Sequence, residues 1–98
     1  MKFSIKSNES VFGLGRRLGY RVLGETSEEV SFARSLGYNE YPRFHIYVRQ
    51  EKNFLNFNLH LDQKKPSYKG QTAHSGEYNG ELVEEEAERI KKVLDSNT

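Results

Sequence analysis

The sequence predicts an α+β fold: one small domain with a mainly antiparallel, four- to five-stranded sheet and two helices packed on one face, in the order β-α-β-β-β-β-α. Three observations predict it. Residues 43–49 and 54–62 alternate apolar and polar side chains across a short polar link, the signature of a hairpin. Residues 80–95 place apolar side chains at helical spacing. Residues 2–36 switch from a period of two to a period of 3.6 and back.

The elements follow in order. Phe3 and Ile5 alternate with polar neighbours, so residues 2–7 read as a half-buried strand. Asn8 or Ser10 can cap a short helix that runs to about Leu18, since a side-chain oxygen there accepts from a first-turn N–H. Val11, Leu14 and Leu18 form its apolar stripe, and Gly19 marks its end. Gly13 and Gly15 each cost this helix about 1 kcal/mol against Ala. Close packing of helix on sheet is the ordinary reason for such glycines. Tyr20 to Glu25 reads as a strand and Thr26-Ser27 as a turn. Residues 28–36 are ambiguous, because Ser27, Glu28 and Glu29 could open a helix. Strand is preferred, since Val30 and Phe32 alternate with polar or small residues and suit a pleated surface. Gly37 to Pro42 is a loop.

In the hairpin, Phe44, Ile46 and Val48 share one face with Leu55, Phe57, Leu59 and Leu61. The other face carries His45, Tyr47, Arg49, Asn56, Asn58, His60 and Asp62. Pairing about a link at residues 50–53 brings His45 near Asn58 or His60. Residues 63–79 lack apolar periodicity and read as a long loop, a feature usually functional or disordered in a small domain. The last element is an acidic amphipathic helix over residues 80–95. Val83, Ala87, Ile90 and Val93 or Leu94 form its stripe, with Leu82 beside it. Its glutamates gather at the start and its lysines at the end, as the helix dipole favours.

Composition narrows the classes. A chain of 98 residues holds one core, so residues 1–98 are one domain. Its 6 Phe and 6 Tyr supply core area and argue against wholesale disorder. The absence of cysteine excludes disulfides, thiolate metal sites and a cysteine nucleophile. No run approaches the roughly 18 apolar residues of a membrane span, and the N-terminus lacks a signal-like apolar stretch. A cytoplasmic location away from membrane is therefore expected. The net charge of +1 conceals two unlike parts: residues 1–72 hold 12 basic and 7 acidic side chains, residues 73–98 hold 3 and 7. A basic body hints at an anionic partner, although packing of the acidic helix on that body would cancel it.

Three functions stay open. The first is nucleic-acid binding, RNA or a single strand. Arg43, Arg49, Lys64, Lys65 and Lys69 would hold phosphates, and Tyr47 and Tyr68 would stack on bases. The ordinary account of the same residues is a solvated sheet face. The second is a hydrolase or nuclease. His60 and Asp62 share a strand face, and His74 and Glu77 could join them around a divalent metal. Without metal, His60 or His74 could act as general base; His45, His60 and Asp62 would read base edges in the first reading and do chemistry in this one. These short pairs also arise often by chance. The third is a non-catalytic protein-interaction module, docked through the acidic helix or an edge strand. No cofactor motif is present: Gly13-Leu14-Gly15 lacks the βαβ unit of a dinucleotide fingerprint.

Overall fold

Side-chain alternation builds the sheet, and the computed structural model describes it through residues 1–63 and 80–95. The elements are β1 (Lys2–Lys6), α1 (Val11–Leu18), β2 (Arg21–Glu25), β3 (Val30–Ser35), β4 (Arg43–Glu51), β5 (Phe54–Asp62) and α2 (Gly80–Asp95), in the expected order. All five strands join one open sheet, β1-β5-β4-β3-β2, and every neighbouring pair is antiparallel. Lys64, Lys65, Tyr68, Lys69, His74 and Glu77, with the rest of the expected loop after Gln63, lie outside the described residues.

The ambiguous segment is a strand, with Val30 and Phe32 buried as their alternation requires. Thr26, rather than the expected cap Ser27, makes the bonds before it and closes a turn: its hydroxyl accepts the Glu28 and Glu29 N–H groups, both at 3.1 Å. β4 extends two residues past Arg49, so the hairpin turns on Lys52 and Asn53 alone. Lys52 takes φ 57°, the left-handed conformation that such tight turns need. This shorter link fixes the register and sets His45 directly opposite His60.

Each end of α1 is satisfied by its neighbours. The Ser10 hydroxyl accepts the Phe12 N–H at 3.2 Å. Gly19, at φ 84°, lets its own N–H reach the Arg16 carbonyl and the Tyr20 N–H reach that of Gly15. The two helix glycines differ. A Cβ at Gly15 would stand 2.5 Å from the Phe32 ring, so the residue is what lets α1 lie on β3. A Cβ at Gly13 would meet nothing within 4 Å, so close packing explains Gly15 alone.

Both helices cover the same side of the sheet. Leu14 and Leu18 of α1 and Val83, Ala87, Ile90 and Leu94 of α2 join the inward residues of β3, β4 and β5 in one core. Glu86 sits inside that stripe at 4% exposure. Its carboxylate accepts the Tyr20 hydroxyl at 2.6 Å and two Arg89 donors at 2.9 and 2.8 Å, with Arg34 at 3.4 Å. Arg89 also donates to the Leu18 carbonyl, tying α2 to the end of α1. Burial, then the Glu86 charge, push the Tyr20 hydroxyl far above the usual phenol range. The hydrogen bond to Glu86 raises Arg89.

The free edges of the sheet are β1 and β2. A bulge interrupts β2: Val22 pairs with Phe32 and Gly24 with Ser31, leaving Leu23 as the extra residue. Among the described residues no helix is long and apolar enough to cross a membrane.

Candidate nucleic-acid interface

Cross-strand partners point to the same face, so the register lists what the helix-free side presents. Three successive rows occupy its centre: Arg43 with Asp62, His45 with His60, and Tyr47 with Asn58 and then Lys2. A fourth row follows with Arg49, Asn56 and Ser4. β4 is the middle strand of the sheet, so His45 and Tyr47 stand near its centre.

Asp62 organises one end. Its Oδ2 accepts from Arg43 Nε at 3.3 Å and lies 3.2 Å from His45 Nδ1. A carboxylate only accepts, so this contact assigns a proton to Nδ1. The hydrogen bond with His45 is the main reason the Asp62 carboxyl falls below its usual range, and Arg43 adds to it. His45 Nε2 is buried and has no hydrogen-bond partner. The rings then run on: His45 to Tyr47 at 4.6 Å between centroids, tilted by 33°, and Tyr47 to His60 at 6.0 Å, edge to face.

Beside these rings the face hollows into a concavity of about 580 Å³ whose walls include Lys2, Tyr47, Arg49, Asn56 and Asn58. Its far rim is held by internal bonds. Ser4 donates to Asn56 at 2.5 Å, Asn56 donates to Glu51 at 2.7 Å, and Arg49 lies 3.6 Å from both Glu28 and Glu29.

Arg43, Tyr47 and Arg49 thus share one face, as the alternation anticipates. Neither arginine is free of carboxylates. Arg43 meets Asp62 and Glu40, and its guanidinium lies over the Tyr41 ring; Arg49 meets Glu28 and Glu29. The neutralising charge comes from the sheet and its loops. Glu81, Glu84, Glu85 and Glu88 are exposed on α2, which packs on the opposite side.

His60 and Asp62 share their face too, yet the Asp62 carboxylate turns to His45. Among the described residues no group of three or more His, Asp or Glu could hold a metal ion. The His45–Asp62 contact and the place of Lys2 beside Asn58 were the features that alternation alone missed. The signal that finds the first is the turn length, because a two-residue link sets His45 opposite His60 and diagonal to Asp62. Comparison with protein-family models, curated proteins and solved structures finds no match to this chain.

Proposed function

We propose that this chain is a small nucleic-acid-binding domain that lays a single strand, RNA by preference, across the helix-free face. One observation carries the reading: a run of three rings, His45, Tyr47 and His60, on the side of the central strands that neither described helix covers. Unstacked bases gain by lying on such rings, and amides nearby can meet base edges. Stacking outweighs charge here, since phosphates must compete with the carboxylates already beside Arg43 and Arg49. Arg49 is partly exposed, and exposed pairs are worth about 0–1 kcal/mol, so a phosphate can compete with its glutamates; Arg43, 12% exposed beside Asp62 and Glu40, is held more firmly. Labelled single-stranded RNA and DNA oligomers at low salt test it by fluorescence anisotropy. Tyr47→Ala is expected to weaken binding about tenfold, the worth of one stacked base. No binding of either oligomer by the unaltered protein overturns the reading.

The dyad of His45 and Asp62 favours a second reading, metal-free cleavage of RNA. A carboxylate on Nδ1 leaves Nε2 as the base that would take a proton from a ribose 2′-hydroxyl, with His60 opposite as the acid. Nε2 is buried in this structure, so it must become exposed before substrate reaches it. RNA left intact by the protein, or cut equally by His45→Gln, removes this reading.

A further inference from the structure

The rows of the helix-free face differ in how far their polar groups are already engaged. Asp62, Arg43 and His45 bond one another at one end. Ser4, Asn56 and Glu51 form a chain at the other, and Arg49 faces two glutamates. Between them lies the row of Lys2, Asn58 and Tyr47. Among the described residues no carboxylate pairs with Lys2, and neither the Asn58 amide nor the Tyr47 hydroxyl has a side-chain hydrogen bond. The concavity opens on this row.

We infer that this row seats one nucleoside phosphate unit, with its base on the Tyr47 ring, the base edge on the Asn58 amide and its phosphate at the Lys2 ammonium. The inference rests on the proposed nucleic-acid reading and names the position where that contact centres. Three considerations support it. The three residues stand on adjacent strands spaced ~4.8 Å apart, so the row spans ~10 Å, about the reach of a nucleotide from base to phosphate. The hollow, near 580 Å³, falls within the size range of small-ligand sites. The row offers an aromatic ring, an amide that both donates and accepts, and an exposed cation without a carboxylate beside it. An asparagine amide matches the N6 and N7 edge of adenine, which makes adenosine the probe of choice.

Glu29 also lines the hollow, and its charge is met by Arg49. Arg49 is shared with Glu28, so a phosphate at Lys2 gains a cation that no described carboxylate pairs, set against one net negative charge about Arg49. The adenosine unit could belong to a strand or be a free nucleotide, and the test separates the two.

Oligoadenylate RNA and adenosine 5′-monophosphate are titrated separately into the intact chain. Binding is read by anisotropy and by amide shifts in ¹H–¹⁵N spectra. Lys2→Glu and Asn58→Asp are each expected to weaken oligomer binding about tenfold, since each removes a polar contact and sets a negative charge in its place. Lys92→Glu, on the other side of the molecule, should stay within about twofold and is the charge control. Adenosine 5′-monophosphate should shift the amides of Lys2, Tyr47 and Asn58 ahead of those near Asp62. That readout uses the unaltered protein and does not depend on any variant folding.

Oligomer binding that ignores both row variants overturns the inference while the single-strand reading stands. Monophosphate binding at the row without oligomer binding upholds the seat and overturns the single-strand reading. Binding of neither overturns both.

Discussion

Glu86 shows how much one residue can hold. It is a carboxylate inside an apolar stripe, and it is tolerated because Tyr20, Arg34 and Arg89 surround it. Glu86→Ala would leave a buried hydroxyl and two guanidinium groups without their acceptor. Both guanidinium groups keep about a third of their surface in water, so the cost is that of the buried hydroxyl, about 1–3 kcal/mol, and denaturant unfolding should show a loss of that size. A loss below about 1 kcal/mol would show that the cluster is incidental. Asp62 makes a prediction in pH. Its folded pKa is depressed, so its contribution to stability is complete above the unfolded carboxylate value of about 4 and is lost as pH falls through the folded value. Asp62→Asn should flatten the acid limb of a stability–pH curve; an unchanged limb would show that Asp62 is not its source. Neither residue's role is visible in the pattern of the sequence. A glutamate at a stripe position reads as solvent-facing until its partners, 66 and 52 residues away in Tyr20 and Arg34, are brought beside it.

Elements were easier to read than contacts. Strict alternation in β4 and β5 and helical spacing in α2 each bury one face, and local pattern suffices when one face is buried. The 28–36 segment needed the core to decide it, since Ser27 with two glutamates fits a helix start and the hydroxyl that bonds the Glu28 and Glu29 N–H groups is that of Thr26, in a turn. The hairpin's register needed the conformation of Lys52, which residue type alone does not specify. In α1 the two glycines look alike in sequence and differ in surroundings. Gly13→Ala should stabilise by up to about 1 kcal/mol, the helix-propensity gain. Gly15→Ala should destabilise by about 1–3 kcal/mol, because its Cβ would overlap the Phe32 ring. Thermal unfolding of the two variants should move in opposite directions; a shared direction would mean that α1 shifts to absorb the methyl group.

At the scale of the molecule, charge is arranged otherwise than its division along the chain suggests. The acidic helix lies behind the sheet, and the arginines of the helix-free face are balanced by glutamates and Asp62 at its margins. On the proposed reading, affinity for a single strand should therefore depend weakly on salt. Each phosphate neutralised contributes a slope of about −0.7 in log affinity against log salt, so one or two contacts give roughly −0.7 to −1.4. A titration series between low and physiological salt measures this. A slope near −4 would mean that many more cations reach the strand than the described face provides.

The bulge in β2 bears on how copies of the chain meet. With regular alternation, Arg21-Val22-Leu23-Gly24-Glu25 would match an antiparallel copy of itself, each arginine facing a glutamate and Leu23 facing its twin across a two-fold axis. Val22 and Leu23 are 52% and 40% exposed, so apolar surface is at hand for such a join. The extra residue breaks the match. Arg21 pairs with Ala33 and projects to the helix-free side, whereas Glu25 pairs with Val30 and projects to the helix side. On a second copy the complementary charges would emerge from opposite surfaces. The other edge is guarded differently, as Lys2 and Lys6 at the two ends of β1 would oppose their own kind in the same arrangement. One inserted leucine thus leaves this exposed edge without a charge-matched pairing to its own twin.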